Sequence, residues 1–68
     1  MASLTRNQIA LLKELKAAGE HGRIISLTSI SRAEVAHLIG VQYIKRVRRT
    51  TRYVITERGG EALATEDR

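Results

Sequence analysis

The chain has 68 residues, with 12 Lys/Arg against 7 Asp/Glu and a formal net charge of +5. That length makes one small domain with a thin stability margin, because a chain of this size buries only about 60% of the surface its unfolded form exposes. It contains no cysteine, which excludes disulfides and thiolate metal sites, and its charge excess points towards an anionic partner.

A first helix is expected from about Arg6 to Ala18. Thr5-Arg6-Asn7-Gln8 fits a capping box, in which the Thr5 hydroxyl caps the first turn and Gln8 reaches back. Leu4 and Ile9 are spaced as a hydrophobic staple. Ile9, Leu11, Leu12, Leu15 and Ala18 form an apolar stripe at helical spacing. Gly19 then supplies a left-handed stop.

Glu20-His21-Gly22 reads as a turn. Arg23 to Ile30, RIISLTSI, mixes β-branched and hydroxyl residues and suits a strand, a short helix or a capped turn about equally. A short second helix is expected there, ahead of the well-marked helix start at Ser31. Ser31-Arg32-Ala33-Glu34 is a second capping box, flanked by a second staple pair, Ile30 and Val35. Val35, Leu38 and Ile39 are expected to be buried, and Gly40 to end the helix. The opposite face, Ala33, Ala36, His37 and Gly40, is small and nearly uncharged, so the helix axis can come close to another surface such as a groove floor.

Gln42 to Val47 and Arg52 to Thr56 have the composition of paired strands, joined through Arg48, Arg49, Thr50 and Thr51. Five of the twelve basic residues, Lys45, Arg46, Arg48, Arg49 and Arg52, fall within eight positions of this hairpin. No acidic residue occurs between Glu34 and Glu57. The hairpin thus holds the whole charge excess, and a ribbon of guanidinium groups without neutralising partners suits nucleic acid. Thr56 is placed to cap a last helix from Glu57 to Leu63, which Gly59 and Gly60 weaken by about 1 kcal/mol each relative to alanine. Residues 64–68 are expected to fray, leaving a single domain over 1–68 with an ordered core of about 4–63.

The helix SRAEVAHLI, the apolar strand after Gly40 and the run YVITERGGEAL together resemble a winged-helix DNA-binding domain of MarR-like and PadR-like bacterial transcriptional regulators. The resemblance covers about residues 4–63. It implies an α+β fold, a small winged helix-turn-helix with a three-helix core, a two-stranded β-hairpin wing (about 42–56) and a short C-terminal helix. It further implies double-stranded DNA as the partner, with residues 31–39 as a recognition helix in the major groove. Arg32 is then the candidate for a base edge, since its guanidinium can bond guanine in a bidentate manner; Glu34 and His37 are further base-contact candidates. Ser31 would place a hydroxyl or the helix terminus on a phosphate. Arg48, Arg49 and Arg52 would reach a minor groove or the backbone. Of Lys45 and Arg46 at most one faces DNA, because strand neighbours point to opposite faces. Arg6 and Asn7 are candidates for backbone phosphate.

Catalysis is poorly supported. His21 and His37 are sixteen residues apart with no carboxylate pair at ligand spacing, no serine sits in a nucleophile elbow, and Gly59-Gly60 is too short for a phosphate loop. No enzyme activity, cofactor or metal is expected. No apolar run approaches the roughly 20 residues that span a bilayer, so a soluble, cytoplasmic protein without membrane contact is expected. Other partners stay open: an acidic protein docked by an interaction module, RNA gripped by the hairpin with Tyr43 or Tyr53 stacked on bases, or a second copy in a homodimer. The tyrosines themselves are expected to pack on the core with their hydroxyls at the rim.

Overall fold

The computed structural model describes residues 4–28 and 30–66. In chain order these form α1 (Arg6–Ala18), a single 3₁₀ turn (Gly19–His21), β1 (Arg23–Ile24), α2 (Arg32–Gly40), β2 (Ile44–Arg46), β3 (Arg52–Ile55) and α3 (Glu57–Glu66). The strands make one antiparallel sheet in the order β1-β3-β2. The chain is therefore a small α+β domain of three helices and a three-stranded antiparallel sheet.

Helix α1 starts and stops where its sequence signals lie. Thr5 Oγ1 accepts from the Gln8 N–H at 3.1 Å and the Thr5 N–H donates to Gln8 Oε1 at 2.9 Å, which closes the capping box. Gly19 follows at φ 65°. The α1 residues Leu11, Leu12 and Leu15 make the core together with Ile30, Val35, Leu38, Ile44 and Leu63. Each fully buried aliphatic side chain there stabilises the fold by about 1.5–3 kcal/mol.

Two expectations are corrected. No second helix forms among the described residues between 23 and 30. Arg23 and Ile24 instead pair with Tyr53 and Arg52 as an edge strand, so the sheet has three strands and not two. Ser29, within the expected helix, lies outside the described residues. The pairing is possible because Gly22, at φ 69°, lets the chain pass against β3; a Cβ there would lie 2.5 Å from the Tyr53 carbonyl oxygen.

Helix α2 ends at Gly40, as expected. The left-handed residue beyond it is Gln42, at φ 65°. The Gln42 N–H donates to the Ile39 carbonyl at 3.0 Å and the Tyr43 N–H to the Leu38 carbonyl at 2.9 Å, the paired bonds of a Schellman cap. This end is set by packing, since Tyr43 must reach back to the core that holds Leu38. The second correction is Ile39, which is 43% exposed rather than buried.

Helix α3 is capped as expected. Thr56 Oγ1 accepts from the Gly59 N–H at 3.0 Å and donates to the Gln42 carbonyl at 2.6 Å. The helix runs on to Glu66; Asp67 and Arg68 of the tail expected to fray lie outside the described residues. Among the described residues, no helix is long and apolar enough to cross a membrane.

Candidate nucleic-acid interface

Strands β2 and β3 carry the basic cluster on a tight support. The pairs Ile44–Ile55, Lys45–Val54 and Arg46–Tyr53 hold the ladder, and the Val47 N–H donates to the Arg52 carbonyl at 2.8 Å to close the tip. The Thr50 N–H and hydroxyl both donate to the Val47 carbonyl, at 3.1 and 2.9 Å, and Thr50 Oγ1 accepts from the Arg52 N–H at 3.1 Å. Arg49 sits in this turn at φ 67°, a left-handed conformation that costs a residue with a Cβ roughly 1–2 kcal/mol. Arg46, Arg49 and Arg52 line one open hollow at the tip with Thr50 and Thr51.

Lys45, Arg46, Arg48, Arg49 and Arg52 are all exposed, and none makes an ion pair among the described residues. Their charges are therefore unspent within the fold. Lys45 shares a sheet face with Val54, and Arg46 with Tyr53, so the two do point to opposite sides. Both line a second open hollow against the start of α3, beside Ile39, Thr56 and Arg58.

The residues named for α2 divide. Arg32 and His37 are exposed on the helix, as a contact with an external surface requires. Glu34 and Ser31 are engaged within the protein. Glu34 Oε1 accepts from the Ser31 N–H and hydroxyl, each at 3.1 Å, and from Asn7 Nδ2 at 3.5 Å. Its Oε2 accepts a short hydrogen bond from the Thr5 hydroxyl. The Thr5 hydroxyl first, then the Ser31 N–H, hold the Glu34 carboxyl below the usual glutamate range. Ser31 Oγ in turn accepts from the Glu34 N–H at 3.2 Å. The carboxylate thus meets the amino ends of both helices, where the aligned peptide dipoles favour negative charge.

Arg6, exposed at the first position of α1, and Asn7 stand beside this junction. The sequence reading missed Gln8 as a member of it. Gln8 is only 4% exposed, and its Nε2 donates to the Glu34 carbonyl at 3.1 Å. The signal was present in the two capping boxes, but nothing local joins residues so far apart. Tyr43 and Tyr53 are half-buried against the core. Among the described residues no group of three or more His, Cys, Asp or Glu is placed to hold a metal ion.

What these features define is a small α+β domain whose charge excess stands on one hairpin beside an exposed helix. No protein-family model matches the chain, and no curated protein or solved structure matches it either.

Proposed function

We propose that this domain binds double-stranded DNA as a winged helix, with α2 entering the major groove and the β2–β3 hairpin acting as the wing, in a transcriptional regulator or an accessory factor. The observation that carries the reading is the set of five exposed, unpaired cations on the hairpin. Phosphate neutralisation by such groups releases condensed counterions and supplies most of the affinity for duplex. The outward residues of α2 suit close approach, since Ala33, Ala36 and Gly40 add little bulk between Arg32 and His37. With no helix between the 3₁₀ turn and α2 among the described residues, α1 braces α2 through Gln8 and the Glu34 network. Half-buried tyrosines favour duplex over single strands, because stacking on bases needs a ring face free for the base.

One module of this size covers roughly 600–1,000 Å² of protein surface on DNA, so a homodimer or a partner protein would complete a unique operator. The test is fluorescence anisotropy against random-sequence duplex DNA across a salt series, with duplex RNA and a single strand alongside. Micromolar duplex binding with a log–log salt slope near about −4 to −5 is expected from roughly five phosphate contacts. No duplex binding at low salt, or tighter binding to either RNA or the single strand, rejects the reading.

A further inference from the structure

Among the described residues no helix forms between the 3₁₀ turn and α2, and an open groove runs along one flank of α2. Ile25, Leu27, Val35, Ala36, Ile39 and Tyr53 line this groove of about 290 Å³, with Arg32 in its wall. Leu27 is 52% exposed and Ile39 43%, so two of the aliphatic side chains that line this concavity stand largely in water. Contiguous apolar surface of this kind marks an interaction site more often than scattered exposed residues do. Tyrosine and arginine, both present here, are the residue types that most often dominate binding energy at such sites.

The charge around the groove selects its occupant. Arg32 lines the groove, and Arg23 and Arg46, both exposed, are the cross-strand neighbours of its Tyr53 in the register of the sheet. No acidic residue lines the groove, and the acid on α2, Glu34, is held in its contacts with Thr5, Asn7 and Ser31. A second copy would bring the same arginines and a net charge of +5 against their own kind, which opposes a symmetric contact here. Nucleic acid has little apolar surface to fill such a floor. A helix with aliphatic residues at i, i+3, i+4 and i+7 and acidic residues beside them supplies both properties.

We propose that this groove docks the apolar face of an acidic amphipathic helix carried by a partner protein. The docking stands on the groove alone. Its consequence for DNA rests on the proposed entry of α2 into the major groove: Arg32 and Ala36 belong both to the groove and to the exposed part of α2, so a docked helix covers part of the surface that would meet the duplex.

The full chain is titrated, by anisotropy, into a labelled peptide roughly five helical turns long, with leucine at the i, i+3 and i+4 positions of each seven-residue repeat and glutamate elsewhere. Two controls replace every glutamate with lysine or scatter the leucines out of phase. The leucine–glutamate peptide is expected to bind, with both controls at least about tenfold weaker. Leu27→Ser and Ile39→Ser should each weaken it by about tenfold without changing the circular dichroism spectrum, because both side chains are exposed. Arg32→Ala should weaken it and reduce its salt dependence. Binding of peptide without any binding of duplex DNA upholds the groove and removes the DNA reading. Equal binding by wild type and both serine variants, equal binding of the lysine peptide, or no binding at millimolar peptide overturns the proposal. So does a dimer in sedimentation that Leu27→Ser abolishes, which assigns the groove to a second copy.

Discussion

Gln8 and Glu34 hold the same position in two different helices, the third residue of the first turn, and the Gln8 side-chain amide donates to the Glu34 carbonyl at 3.1 Å. Each residue closes the capping box of its own helix. Each also reaches the other helix, since the Glu34 carboxylate accepts from the Thr5 hydroxyl that caps α1. The angle at which α2 leaves the body of the domain is therefore held by hydrogen bonds between two helix starts together with the core packing of Val35 and Leu38. A surface presented by α2 inherits that angle.

Glu34→Gln tests this junction through pH. The folded-state carboxyl is held down by the Thr5 hydroxyl and the Ser31 N–H, so the charged form adds stability above the unfolded-state value, about 4.3 for glutamate. That stability is lost as pH falls through the lower folded-state value. Urea midpoints should show wild type more stable than the glutamine variant at pH 7, with the gap closing at pH below about 4. A gap that is constant across this range would mean that shape, and not charge, makes the contact.

The two adjacent glycines of α3 should respond in opposite directions to alanine. A Cβ at Gly59 would lie 2.1 Å from the Tyr43 carbonyl oxygen, whereas one at Gly60 meets nothing within 4 Å. Gly60→Ala should stabilise by about 1 kcal/mol through helix propensity alone. Gly59→Ala should destabilise by about 1–3 kcal/mol, because backbone must shift to admit the methyl. Thermal melts of the two variants decide the point, and a stabilised Gly59→Ala would contradict the close packing of α3 on Tyr43.

Much of this was legible where the information is local. Both capping boxes and the Thr56 cap are i to i+3 patterns, and the structure has all three. The edge strand was not legible, because Arg23 and Ile24 are ordered by Tyr53 and Arg52, some thirty residues later. A short mixed segment carries no periodicity to reveal such a partner. Gly40 was a true local signal, since α2 ends there, but that the left-handed residue beyond it is Gln42 was not legible. The basic hairpin was legible as composition. That its tip gathers Arg46, Arg49 and Arg52 around one hollow was not, since the turn conformation decides where those side chains start.

Gln42 and Arg49 are the two non-glycine residues with positive φ among those described, and they make a matched pair. Replacing either with glycine should relieve the left-handed cost and stabilise by about 1 kcal/mol. Gln42→Gly should leave DNA affinity unchanged. Arg49→Gly should lower it and flatten the salt slope by about one, as the proposed wing contact to phosphate requires. If both variants bind DNA equally well, the turn is strained for some purpose other than this contact.

Arg32 and the hairpin arginines should fail in different ways. Replacing Arg48 and Arg49 together with alanine should weaken binding to every duplex alike and flatten the salt slope by roughly two. Arg32→Ala should instead relax preference at one base pair, worth about 1–3 kcal/mol against the wrong base. The measurement is anisotropy on a selected duplex and its single-base variants, each across the same salt series. An unchanged slope in the double variant removes the hairpin from the interface. A uniform loss for Arg32→Ala makes that guanidinium a phosphate contact, and the reading of sequence then passes to His37, the other exposed polar side chain that α2 offers beyond its first turn.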